Sequence, residues 1–469
     1  MASYDAGVRL DDVLLGAPSL VTDSRAVQPG SVFVALRGLH TDGHRFVDDA
    51  VARGARVIVL ETPAALPDGV RGVVVADSAR ALSALASIFY GHPAQGLVMI
   101  GITGTNGKTT TAHMVDAILN EAGLPAAAVG TLGATFGTQH WPLKNTTPLA
   151  HDLHEMLAVL RDAGAKAVAM EVSSHALALQ RVADVRFRVS ALTNITRDHL
   201  DFHETFDAYW SAKRSLFERS DAAVLNADDP LGARWAKEFQ IPVLTYSMSG
   251  PADIIASHIG LRADGSAFVV GETTYTLPIP GRFNIANALA AIGIARTLGI
   301  EEAACRRGLS TLKQVPGRME IIAGAGIAVV VDYAHTPDAL RNALRTLRET
   351  TAGKLYVVFG AGGDRDRGKR PQMGRVAAEL ADSVIVTSDN PRTEDPGEIA
   401  ADILAGTGTG RHQLILDRQE AIVRAIHDAL PGDVVLIAGK GHEPYQIIGE
   451  RVLNFDDRAV AREALRSRT

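Results

Sequence analysis

The chain has 469 residues, 46% hydrophobic and 21% charged, a globular composition with room for about three domains of ~150 residues, each able to bury its own core. A net charge of −6, from 47 Lys plus Arg against 53 Asp plus Glu, with no basic tail, excludes a chain built to bind nucleic acid. The single cysteine, Cys305, rules out an internal disulfide, and neither a signal peptide nor an uncharged apolar run of ~18 residues is present, so a soluble cytoplasmic chain without membrane insertion is expected. A monomer is the expected state, although nothing in the sequence fixes it.

In chain order, VFVAL (32–36), ARVIVL (55–60) and GVVVAD (72–77) read as short buried strands. ARALSALASIFYGHP (79–93) reads as a helix stopped by Gly91 and Pro93. Five more apolar runs follow, LVMIGI (97–102), AKAVAMEV (165–172), RFRVSALTNI (186–195), AAVLN (222–226) and PVLTY (242–246), with helical stretches between several of them. That alternation implies a mostly parallel sheet. AFVVGETTYTLP (267–278) reads as an appended antiparallel hairpin, and a helix follows over 282–299.

After Pro316-Gly317 the strands IAVVVDYA (327–334), KLYVVFGA (354–361), DSVIVTSD (382–389) and DVVLIAG (433–439) alternate with helical stretches at 337–350, 370–381 and 418–430. The expected architecture is α/β in three domains. These are a small N-terminal α/β domain (1–93), a central P-loop domain with a mostly parallel sheet (94–315) and a C-terminal Rossmann-like α/β domain (316–469).

The strongest chemical signal is GITGTNGKTTTAHMVDAILNEAG, starting at Gly101: strand, glycine-bearing turn, then Lys108, Thr109 and an amphipathic helix. Backbone N–H groups of Gly104, Thr105, Asn106, Gly107 and Thr110 at such a helix start can cradle phosphate oxygens. Lys108 would neutralise charge near the transferred phosphate and the Thr109 hydroxyl would bind Mg²⁺, so ATP is the expected nucleotide. The spacing departs from the strict pattern: the first glycine position falls on Ile102, with glycines at 101 and 104. Glu171, ending a strand in AMEVSSHAL, stands where α/β proteins offer ligands to a crevice and could hold Mg²⁺. His199, in TNITRDHLD, also follows a strand; alone it reads as a hydrogen-bonded structural histidine.

TGTNGKTTT, EVSSHAL, LTNITRDHLDFH, LNADDP, GRFNIANALAA, PGRME and VDYAHTPDAL occur here in one order. Together they resemble the Mur ligases, cytoplasmic enzymes that add amino acids successively to UDP-N-acetylmuramate, over about residues 23 to 443. The resemblance implies that Lys108 contacts the ATP phosphates, that Thr109 binds one Mg²⁺, and that Glu171 and His199 serve a second metal or its waters. Asn284 and Asn287 would meet adenine, while Arg318, Asp332, Tyr333 and His335 would close over the nucleotide. Lys213, a solvated helix lysine by sequence alone, matches a lysine that family members carry as a carbamate (N6-carboxylysine), an anion able to approach Mg²⁺ where an ammonium would not. The implied chemistry is carboxylate activation by ATP to an acyl phosphate, followed by amine attack.

Within the family the chain most resembles the members that extend UDP-N-acetylmuramoyl-L-alanyl-D-glutamate. Ser24 within Asp23-Ser24-Arg25, and Leu39, His40 and Thr41, match the uridine-binding domain. Thr146, Thr147, Ser173 and Arg181 match positions contacting the muramoyl dipeptide, although Leu179 stands where some relatives have glutamine. In TSDNPRTEDP, Asp389, Asn390, Pro391 and Arg392 match a DNPR motif associated with meso-diaminopimelate. That amino acid is lysine with a second carboxylate, which an arginine can take as a bidentate pair. Arg365, Gly439 and Glu443 would complete the pocket, with Glu443 facing the distal amine.

The rival readings are weaker. FGAGG (359–363) follows a strand, but the position three after Gly362 is Arg365, so a dinucleotide fingerprint fails. A GTPase or regulatory nucleotide-binding module leaves the C-terminal arginines without a purpose. A folylpolyglutamate synthetase-like ligase does not call for residues 1–93 or the DNPR stretch. A lysine- or ornithine-adding ligase of the same family is the runner-up.

Overall fold

The computed structural model describes residues 10–38, 41–408 and 412–468. They form two compact units. The first takes the chain up to Thr103 with Gly123–Ser190 and Trp210–Ala223; the second takes Gly104–Ala122, Ala191–Tyr209 and the chain from Val224.

The first unit opens with four parallel strands in the order Leu20–Val21, Val32–Val34, Val57–Leu60 and Arg71–Val74. Successive side chains of a strand point to opposite faces. Val32 and Val34 therefore pack with Leu82 and Leu85 of the helix Ser78–Phe89, while Phe33 between them packs with Val47 and Ala50 of the helix Val47–Ala52. The Asp77 carboxylate caps the helix Ser78–Phe89 by accepting from the Arg80 N–H. Further on, Val98–Thr103 and Ala126–Gly130 flank Ala167–Glu171 in parallel, and Gly133–Phe136 and Gln139–Trp141 extend that edge antiparallel. The sequence reading did not include those two short strands.

In the second unit the expected hairpin is present as Gly265–Val270 paired with Thr273–Leu277, but it belongs to a larger meander. Ile254–Arg262 pairs antiparallel with the first of these strands and parallel with Val243–Ser247. Its alternation is broken by a register shift between Ser257 and Gly260, which hid the strand from pattern reading.

The C-terminal sheet runs Glu320–Gly324, Ile327–Asp332, Val434–Ala438, Leu355–Phe359, Ser383–Val386, His412–Leu414, parallel except for the first pair. All five residues of Leu355–Phe359 are buried, as expected of a strand covered on both faces. The helix Pro337–Thr350 occupies the span expected for it. Pro396–Leu404 and Asp457–Arg466 are helices that the sequence reading left out. Ile437, Val331 and Ile385 pack against Ile422 and Ile426 of the helix Arg418–Asp428 and against Ala461 and Leu465.

One ion pair lies inside this core. Arg418 and Asp457 both have side chains 0% exposed, joined by Nε–Oδ1 at 2.7 Å and Nη2–Oδ2 at 2.8 Å. The guanidinium also donates to the carbonyls of Ser388 and Ala438, the residues preceding Asp389 and Gly439. Removing one partner leaves a buried uncompensated charge. Arg418→Met and Asp457→Asn should each lower stability by about 3–5 kcal/mol, read as a lower urea midpoint, while the double variant Arg418→Met/Asp457→Leu should recover part of the loss.

Candidate active site

In the second unit, the helix Lys108–Glu121 begins at Gly107, whose φ is +88°. A Cβ there would also collide with the Asn287 carboxamide, so this position takes only glycine without strain. The loop before the helix is held from one side by the segment that carries His199. Thr105 N–H donates to Asn194 O (2.7 Å) and Asn106 N–H to Asn194 Oδ1 (3.0 Å). Thr193 Oγ1 and Asn194 Nδ2 donate to Asn106 O (2.6 and 3.1 Å). The Thr105 hydroxyl meets Thr196 O, Thr196 N–H and Tyr209 OH. Lys108 Nζ folds back onto Gly104 O (2.9 Å) and Thr105 O (2.8 Å). The loop is thus held at the start of the helix, where N–H groups that lack intrahelical partners can accept an anion.

The C-terminal residues come to the same place. Arg318 Nη2 donates to Thr109 Oγ1 at 3.0 Å, and its guanidinium lies 4.5 Å over the Tyr333 ring. Asn106 Nδ2 donates to Asp338 Oδ2 at 3.2 Å, in the first turn of the helix Pro337–Thr350, and Arg197 Nε sits 3.5 Å from Asp366 Oδ2. Asp332 accepts from the Met319 N–H, and burial pushes its carboxyl up against the opposing pull of Arg318. His335 bonds Tyr333 O through Nδ1 (2.8 Å), and burial holds it to about 4, so it is neutral. Asn284 and Asn287 are buried and bonded to each other (3.2 Å). The packing of Asn287 on Gly107 puts it beside the phosphate cradle. His199 takes a left-handed φ of 54° and lies 3.3 Å from Asp198.

In the first unit, Glu171 ends its strand with its carboxylate accepting from Thr131 N–H (2.7 Å) and Oγ1 (3.2 Å). Thr131 reaches the Thr146 hydroxyl (3.1 Å), Thr147 Oγ1 donates to Glu171 O and accepts from the Ser173 N–H, and Arg181 Nη1 donates to Thr147 O (2.8 Å). The structure therefore gathers Thr146, Thr147, Ser173, Arg181 and Glu171 into one cluster. Burial lowers the pKa of Arg181, and its Nε has no hydrogen-bond partner among the described residues, a state that suits an anionic ligand. Gln180, next to Leu179, adopts φ 55° and accepts from Arg219. Lys213 is buried at 1% exposure, not the solvated lysine its surroundings in sequence suggest. Ser24 is buried in a turn capped by Asp23, and the Thr41 carbonyl accepts from Gly38. Leu39 and His40 lie outside the described residues.

The third group lies at the carboxyl ends of the C-terminal strands, where α/β sheets bind ligands. Asn390 Nδ2 donates to Glu443 Oε2 (2.9 Å), and Tyr333 OH reaches Glu443 Oε1 (3.4 Å). Gly439 has φ +114°, and a Cβ on it would collide with the Asp389 carboxylate. Pro391 turns the chain so that Arg392, at φ 53°, donates through Nη1 to Gly363 O (2.7 Å). Arg365 is exposed and bonds its neighbour Asp364 O, yet both arginines flank Gly362. Glu394, held near 2 by its bonds to Arg370, anchors the Asp364 N–H. Cys305 is buried away from these groups, its thiol pushed up to about 11 by burial.

Sequence reasoning missed the clamp of Thr193 and Asn194, the Asp338 contact and the buried Lys440. The clamp and the Asp338 contact had a signal, since Thr193, Asn194 and Asp338 all fall inside quoted motifs.

Comparison with known proteins defines the class. The descriptions "Mur ligase family, catalytic domain", "Mur ligase middle domain" and "Mur ligase, glutamate ligase domain" match residues 19–90, 102–295 and 317–441. The chain is 48% identical over 460 residues, 96% of its length and 94% of the relative, to "UDP-N-acetylmuramoyl-L-alanyl-D-glutamate--2,6-diaminopimelate ligase" of Gloeobacter violaceus. It is 44% identical over 472 residues, 97% of its length and 96% of the relative, to the protein of the same name in Geobacillus thermodenitrificans. A solved structure of a ligase of that name superposes with a TM-score of 0.69 at 33% identity, covering 100% of this chain and 99% of the other. The chain belongs to the Mur ligase family.

Gly107→Ala should keep the helical content measured by circular dichroism and weaken ATP binding about tenfold or more by calorimetry, because strain and the Asn287 clash fall on the cradle itself. Undiminished affinity would show that the loop does not hold the phosphates.

Proposed function

We infer that the chain is an ATP-dependent, ADP-forming ligase that adds meso-diaminopimelate to UDP-N-acetylmuramoyl-L-alanyl-D-glutamate in building the peptidoglycan precursor. The reading is carried by 44–48% identity over almost the whole chain to ligases of that name, and it is supported by the Asn390 carboxamide bonded to Glu443 with Arg392 two residues on. No helix of the described residues is long and apolar enough to cross a membrane, which fits work on a soluble nucleotide-sugar in the cytoplasm.

A carboxylate is a poor electrophile. Its oxygen attacks the γ-phosphorus of ATP, ADP leaves, and the acyl phosphate then takes the incoming amine at its carbon, releasing phosphate and a proton. Gly107 and the N–H groups after it hold the polyphosphate, Lys108 swings from the loop carbonyls to the phosphates, and Arg318 adds charge beside Thr109. Arg181, Thr146, Thr147 and Ser173 position the muramoyl dipeptide. Arg392 and Arg365 take the distal carboxylate of diaminopimelate, and Glu443 its ammonium.

No group of three or more His, Cys, Asp or Glu converges as a metal site among the described residues. Mg²⁺ takes one or two protein oxygens and otherwise phosphates and water, and the Thr109 hydroxyl and the Glu171 carboxylate are hard oxygens of that kind. Thr109 would supply an oxygen to one Mg²⁺, and Glu171 and His199 would serve a second metal or its waters. Lys213 would assist as a carbamate, formed when its amine takes up CO₂ and loses a proton. Bound Mg²⁺ would neutralise phosphate charge.

The test is phosphate release from ATP with the muramoyl dipeptide present, comparing meso-diaminopimelate, L-lysine and L-ornithine, with Arg392→Ala alongside. Diaminopimelate alone should drive release in the parent chain, and the variant should lose about tenfold to a thousandfold in kcat/KM for it. Equal release with lysine would overturn the choice of amino acid, and amine-independent release the ligase reading itself.

A further inference from the structure

Lys440 is 0% exposed, although a lysine at the end of a strand in a glycine-rich loop has every steric opportunity to reach water. Lysines are almost never fully buried unless paired, because desolvating an ammonium is costly. The partners are in the pocket described above. Nζ donates to Asn390 Oδ1 at 3.0 Å, lies 3.4 Å from Glu443 Oε2, and sits 5.5 Å over the Tyr445 ring.

We propose that Lys440 is a positioning residue of the amino-acid pocket, fixing the orientation of the Asn390 carboxamide and setting a cation against the Glu443 carboxylate so that the pocket faces an incoming ammonium group with acceptors. This rests on the reading of that pocket given above. Asn390 Oδ1 accepts from two donors, Lys440 Nζ and the Ile447 N–H at 3.0 Å, so a flipped amide would set its NH₂ against both. Only the observed orientation leaves Nδ2 to bond Glu443.

Charge follows the same logic. Burial and the neighbouring Asp389 push the Glu443 carboxyl up, while Lys440 and the Asn390 bond pull it down. The other titratable or charged groups that feel it are Tyr333, Tyr445 and Arg418, of which Arg418 is spent on Asp457. Without Lys440 the positive charge beside Glu443 is gone, and only the hydrogen bonds from Asn390 and Tyr333 work against Asp389. Glu443 would take up a proton at higher pH, and a protonated carboxyl is a poor partner for an ammonium.

The experiment is steady-state phosphate release by the full chain between pH 6 and 9, varying diaminopimelate, ATP and the muramoyl dipeptide in turn, for the parent, Lys440→Met, Lys440→Gln and Lys440→Arg. The expected result for Lys440→Met and Lys440→Gln is a KM for diaminopimelate raised about tenfold to a hundredfold, with the KM for ATP within about twofold of the parent. The acid limb of kcat/KM for diaminopimelate should move to higher pH, and Lys440→Arg should restore part of both. Should Lys440→Met fail to fold, Lys440→Gln, which keeps a donor to Asn390, carries the test. An unshifted acid limb in folded variants, or equal rises in all three KM values, overturns the proposal while leaving the ligase reading intact. If the parent prefers lysine, the pocket reading fails on the substrate and the same comparison is made with lysine.

Discussion

Everything in the nucleotide half of the site is referred to a four-residue loop that could not hold its own shape. Gly104, Thr105, Asn106 and Gly107 are tied locally by Lys108 Nζ and, nearly ninety residues later in the chain, by Thr193, Asn194 and Thr196. The clamp takes the Thr105 and Asn106 N–H groups, the Asn106 carbonyl and both faces of the Thr105 hydroxyl, so the loop is fixed at the start of the helix Lys108–Glu121. A helix start of that kind can accept an anion. Arg318, Asn287 and Asp338 are then positioned against a fixed object.

The amino-acid pocket solves a similar problem with charge. Its loops leave the carboxyl ends of strands whose bodies are wholly apolar, so polar side chains there must be paired or pay a desolvation penalty. Arg418 and Asp457 act from below, tying down the Ser388 and Ala438 carbonyls from which the two loops depart. The Arg370 and Glu394 pair acts from the side, holding the Asp364 N–H. The visible ligand-facing groups are few, and most of the buried charge in this region is spent on keeping them in place.

How far this was legible in the sequence follows from how local each feature is. The phosphate loop was readable because strand, glycine turn, lysine and helix are contiguous. The C-terminal strands were readable because a sheet covered on both faces needs unbroken apolar runs. Ile254–Arg262 was not, since a register shift disrupts its alternation. Lys213, Arg418 and Lys440 look like surface cations in their own neighbourhoods, because burial of a charge is decided by partners far along the chain. Asp457 stands 39 residues from Arg418, and Asn390 stands 50 from Lys440. The roles of Ser173, Arg181 and Glu443 came only through family resemblance, since nothing in their local spacing distinguishes them from ordinary loop residues.

Tyr333 belongs to both halves at once. Its ring lies beneath the guanidinium that reaches Thr109, and its hydroxyl reaches the Glu443 carboxylate. A single aromatic side chain therefore forms a party wall between the residues proposed to hold the nucleotide and those proposed to hold the amino acid. In that reading the two occupants share one boundary, so the packing of each is referred to the same ring.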